Sequence, residues 1–138
     1  NMKKIIILFI ALSCAINTFA QHKFDPNKFK TELRQYILST VNLTEKEANN
    51  FFKIYDEMQV KKRALHASVC AKQKCVPQNN NVARTAIMTS DNLRIQIKQV
   101  EKAYHQKMLL VIPATKLFNV LKAERRFHKQ YLKKASRK

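Results

Sequence analysis

Not one of the 138 residues is glycine. A chain without glycine has few low-cost positive-φ turns. It also lacks the material for a phosphate-cradling loop or a nucleophile elbow. The sequence has no tryptophan, and after its first apolar stretch it has few β-branched runs, so no strand pattern stands out. Helix is the default, and the expected fold class is all-α.

The N-terminal end reads as an export signal. Asn1 precedes a natural start at Met2, and Met2, Lys3 and Lys4 make a charged n-region. Residues 5–16 supply an apolar core too short to span a bilayer, which needs roughly 20 apolar residues. Thr18-Phe19-Ala20 offers small residues at the positions a signal peptidase accepts, which sets the cut before Gln21. A rival reading makes Cys14 a lipidated cysteine, since Ser13 precedes it, although Leu12 is bulky for such a signal. The expectation is a removed signal over 1–20, a single helical domain over 21–138, and a periplasmic location.

Two of the 27 basic residues and none of the nine acidic ones fall before Gln21, leaving 25 against nine, a net +16. Such a field favours polyanions, acidic proteins or anionic headgroups as partners. Export argues against nucleic acid. The end of the chain, 129–138, holds five basic residues and no acid. It reads either as a solvated helix end or as a peripheral contact with an anionic membrane surface.

Four helices are expected. Asp25 caps the first, Pro26 suits its first turn, and Phe24 can staple onto Phe29. Phe29, Leu33, Tyr36, Ile37 and Val41 give it one apolar face over about 26–41. The clearest local signal is Leu43-Thr44-Glu45-Lys46-Glu47, a capping box with Thr44 as N-cap and Glu47 reaching back. The second helix carries Ala48, Phe51, Tyr55, Met58, Lys62, Leu65 and Val69 at steps of four and three. Lys62 interrupts this seam, with its stem expected along it and its ammonium in water.

Residues 77–81 form a polar breaker cluster, so the chain should turn and return as a long antiparallel hairpin. The return helix presents Leu93, Ile97, Val100, Tyr104, Met108 and Val111. Its start is open, because Thr89, Ser90 and Asp91 are each possible caps and 82–88 read equally as helix or loop. Pro113 should break the helix and begin a fourth, with Leu117, Val120, Glu124, Phe127 and Tyr131 on its face. Glu124 on an apolar face calls for a basic partner, Lys62 or Arg63, unless it lies at the seam's edge in water.

This order of features resembles the Spy/CpxP family, small periplasmic helical proteins with LTxxQ motifs, in the divergent form found in Bacteroidetes. The resemblance rests on Leu43-Thr44-Glu45-Lys46-Glu47-Ala48, on Phe51 through Gln59, on Lys62-Arg63-Ala64-Leu65 and on Lys122 through Phe127. Glu47 stands where the motif has glutamine, and Val111-Ile112-Pro113-Ala114-Thr115 stands where a second motif would open the fourth helix. The resemblance implies a curved antiparallel homodimer whose basic, partly apolar face holds unfolded clients without ATP, or which regulates an envelope stress sensor kinase. The residues expected on that face are Phe52, Lys53, Lys61, Lys62, Arg63, Arg125, Arg126 and Lys129. Against this, Phe52 can equally be core and the charges a solvated face.

Cys70 and Cys75 are the only thiols after the signal, and an oxidising compartment invites a disulfide between them. On an unbroken helix their Cα atoms would lie about 8 Å apart, beyond the usual limit of roughly 7 Å, so the bond needs the helix to unwind before Cys75. His66 lies one turn before Cys70, and His66, Cys70 and Cys75 form the alternative reading, a metal-responsive site, with His105 or Met108 as a further ligand. His22 falls in a frayed terminus. His128 falls near the end of a basic helix, where a cation suits the helix dipole. No serine or cysteine has a base and an orienting acid by spacing, so no enzyme and no cofactor are expected.

Overall fold

The computed structural model describes residues 24–137. The proposed signal over 1–20, Cys14, the cut before Gln21 and His22 lie outside the described residues. Those residues form four helices and no strand: α1 (Pro26–Thr40), α2 (Glu45–Gln73), α3 (Asn80–Met108) and α4 (Ala114–Ser136). The protein is all-α, with a long antiparallel hairpin of α2 and α3 and a second layer made of α1 and α4.

Local chemistry sets most of the boundaries. Asp25 Oδ1 accepts from the amides of Asn27 and Lys28 at 2.9 and 3.2 Å, fixing the start of α1. Phe24 packs on Phe29 with ring centroids 5.8 Å apart. The capping box is complete, with the Glu47 amide donating to Thr44 Oγ1 at 3.1 Å and the Thr44 amide donating to Glu47 Oε1 at 2.8 Å. The return helix does not wait for Thr89–Asp91. Asn79 Oδ1 accepts from the Val82 amide at 3.0 Å, so α3 begins at Asn80 and runs as long as α2. It ends at Met108, before Pro113, and the chain passes through a short turn in which Ile112 is buried.

The two layers meet in one core. Phe29, Leu33, Ile37 and Val41 from α1 and its C-cap, Phe51, Phe52, Tyr55 and Met58 from α2, Tyr104 and Met108 from α3, and Leu117, Val120 and Ala123 from α4 form a continuous buried cluster. Lys116 meets Glu47, Tyr55 meets Glu124 and Lys62 lies by His128, so α4 runs alongside α2 in the same direction. The first turns of α1 lie against the later turns of α4, where Phe29 sits 5.5 Å from Phe127 and 4.8 Å from Tyr131 between ring centroids. Asp56 ties α1 to α2 through Lys30 and Arg34 at 3.3 and 3.1 Å. The hairpin tip, 71–82, is exposed throughout.

Three expectations about the interior are corrected. Lys62 does not keep its ammonium in water: it is 2 % exposed, and its Nζ donates to Glu101 Oε2 at 2.5 Å. Glu124 takes its hydrogen bond from the Tyr55 hydroxyl, at Oε2, and has Lys62 near it as a charge only. His128 is not a cation at a helix end. It is buried among Phe29, Phe127 and neighbouring apolar groups, and burial holds its pKa down to about 2.

Candidate functional site

The two helices of the hairpin leave a shallow groove between them, of about 400 Å³, lined by Lys61 and Leu65 from α2 and by Gln96, Gln99, Val100, Ala103, Tyr104 and Lys107 from α3. It exists because α3 presents Gln96, Gln99, Ala103 and Lys107 beside its buried stripe of Ile97, Tyr104 and Met108, at spacings that share a helix flank. A second depression of about 370 Å³ continues from Gln99 along the outer side of α3, lined by Arg94, Ile95, Lys98 and Lys102.

Tyr104 organises the groove. Its ring is buried, its hydroxyl donates to Glu57 Oε1 at 2.7 Å, and the ammonium groups of Lys107 and Lys61 stand 4.4 and 5.3 Å from its ring centroid. Both distances lie within the range in which a cation is attracted to an aromatic face. The Tyr104 hydrogen bond holds the Glu57 carboxyl below its ordinary range, with Lys107, Lys61 and Lys53 acting in the same direction. Further along, Lys98 is mostly exposed and pairs with Glu101 at 3.1 Å. Arg94 and Lys102 lie on the same flank, one turn either side of Lys98. Ile87, Met88 and Ile95 are each more than half exposed on this helix. The hairpin therefore presents a surface in which cations on long stems alternate with aliphatic side chains.

The eight residues expected on a client face do not come together. Phe52 is core, 3 % exposed, with the Arg34 guanidinium 4.3 Å from its ring centroid. Lys62 is interior. Lys53, Lys61, Arg63, Arg125, Arg126 and Lys129 are exposed, but only Lys61 lines the groove. Lys61 and Arg63 point to opposite sides of α2, because two residues span roughly 200° of helix. Nothing in the sequence singles out this flank of α3, because Tyr104 and Val100 read as core, although Arg94, Lys98 and Lys102 repeat at one-turn spacing.

The disulfide expected between Cys70 and Cys75 is not formed. Cys75 keeps a free, exposed thiol. α2 stays wound to Gln73, with Cys70 on its buried face and Cys75 past the helix end. The set His66, Cys70 and Cys75 is not assembled either, since among the described residues no three His, Cys, Asp or Glu side chains could hold a metal ion. No described helix is long and apolar enough to cross a membrane. No family model matches the chain, and neither a curated protein nor a solved structure matches it.

Proposed function

We propose that this protein is a periplasmic, ATP-independent client-holding or envelope-stress adaptor protein, of the Spy/CpxP kind, that binds partly unfolded or acidic envelope polypeptides and acts as a homodimer. The observation that carries the reading is the basic, partly apolar surface of the hairpin: a groove with Lys61 and Lys107 beside Leu65, Val100 and Tyr104, and an adjoining depression on the outer side of α3 with Arg94, Lys98 and Lys102 beside Ile95. Long-stemmed cations beside aliphatic and aromatic groups bind many sequences weakly, and a strongly positive field speeds encounter with acidic chains. The groove is open and shallow, which suits an extended or partly folded polypeptide better than a small molecule, whose sites are enclosed.

The test is light scattering from an aggregating, chemically unfolded acidic protein, with and without the purified protein, at low and high salt and with chelator. Suppression at equal or lower ratios that persists at high salt and ignores chelator supports the reading. Suppression abolished by salt indicates an electrostatic adhesive for anionic polymers. Failure to suppress at any ratio refutes client holding.

A further inference from the structure

We propose that Lys62, His66 and His128 make the docking of the α1–α4 layer onto the hairpin acid-labile, so that below neutral pH the layer lifts and uncovers the aromatic core beneath it. This inference goes beyond the client-holding reading and does not depend on it.

His66 is 3 % exposed and His128 1 % exposed, and none of their four ring nitrogens has a hydrogen-bond partner. Buried imidazoles with no acceptor have nothing to stabilise a second proton. The surroundings add to this. His128, on α4, faces Phe29 of α1 and its neighbour Phe127, with ring centroids at 5.0 and 5.9 Å, and has Lys62 of α2 as its charged neighbour. His66 has Lys62 one turn before it on α2, and Glu101 and Arg94 from α3. Glu101 also serves Lys98, and half-buried His105 lies beside Glu101, Lys62 and Lys98. From α4, Glu124 lies near Lys62, Glu101 and Arg125, and accepts from Tyr55.

At neutral pH this interior sets two carboxylates, Glu101 and Glu124, against one ammonium, Lys62. Burial raises the Glu124 carboxyl, so it takes up a proton early as pH falls. If both imidazoles then charged in place, one carboxylate would face three cations. The folded chain resists this. Burial and the Lys62 charge hold His66 down to about 4 and His128 to about 2, against an ordinary value of 6.5. The open form binds these protons from about pH 6.5 downward, so acid shifts the equilibrium toward it. The break falls between the layers because His128 and Glu124 belong to α4 while Lys62 and Tyr55, which face them, belong to α2.

The experiment is a titration of the purified protein from neutral to acid pH, following fluorescence of Nile red, an uncharged probe of exposed apolar surface, together with far-ultraviolet circular dichroism. Nile red fluorescence is expected to rise in one transition while most of the helical signal persists. In His66→Leu/His128→Phe the midpoint moves about one pH unit lower. An unmoved midpoint in that variant overturns the proposal, and so does loss of the helical signal in step with the dye. Imidazole resonances of the wild-type protein provide a second test independent of any variant. Both rings are expected to stay neutral until the transition, and titration of either near 6.5 in the closed fold refutes the idea.

Discussion

Removing either partner of the Lys62–Glu101 pair tests what a buried charge does in this core, and the two removals should differ sharply. The Lys62 side chain is 3 % exposed and that of Glu101 13 %. Glu101→Ala leaves an ammonium in the interior with no hydrogen-bonded carboxylate. Stranding one member of a buried pair costs about 3–5 kcal/mol. The nearby Glu124 carboxylate relieves part of this, so the expected loss is about 2–4 kcal/mol. Lys62→Met replaces the stem with an apolar chain of similar length. Glu101 then keeps Lys98 at 3.1 Å and its own access to water, so the expected change is within about 1 kcal/mol in either direction. Against a typical total of about 5–15 kcal/mol, the first variant is seriously weakened and the second is not. Urea unfolding followed by far-ultraviolet circular dichroism separates them, since there is no tryptophan to report. A Lys62→Met loss equal to or larger than that of Glu101→Ala would refute the reasoning, because the pair would then stabilise by net attraction rather than merely by mutual compensation.

Four other outcomes follow from the same structure. Thr44→Ala should lower stability by about 1 kcal/mol through the lost cap at the start of α2, measured by thermal melting, with Lys116 still paired to Glu47. Phe29→Ala should cost about 3–5 kcal/mol, since Phe29 is buried and touches the rings of Phe127, His128 and Tyr131. Equilibrium stability should be flat from about pH 7 to about 9 and fall below 6.5, each neutral buried imidazole contributing about 1.4 kcal/mol per pH unit until its folded value is reached; urea midpoints at several pH values check the slope. Arg94→Glu/Lys102→Glu should leave stability within about 0.5 kcal/mol while weakening suppression of client aggregation, most strongly at low salt.

What the sequence determined by itself was the local part. The absence of glycine and of strand patterns fixed the all-α class. Asp25-Pro26, the Thr44–Glu47 box and the breaker cluster at 77–81 set the starts of α1 and α2 and the turn of the hairpin, because each cap is completed by residues within three or four positions. Where several local caps competed, the sequence left the choice open. Asn79 prevailed over Thr89–Asp91 because its side chain caps the Val82 amide, and α3 thereby matches α2 in length. The remaining decisions belonged to tertiary structure. Whether Lys62 met Glu101 or Glu124 depended on hairpin register, which turn length and side-chain packing set together across 39 positions. Whether His128 was a solvated cation or a neutral core residue depended on α1 lying over it, and no spacing within α4 encodes that. The proposed binding surface lies on the hairpin around the α2–α3 groove rather than on α2 and α4 for the same reason: helical periodicity defines a face, but only packing decides which faces are covered.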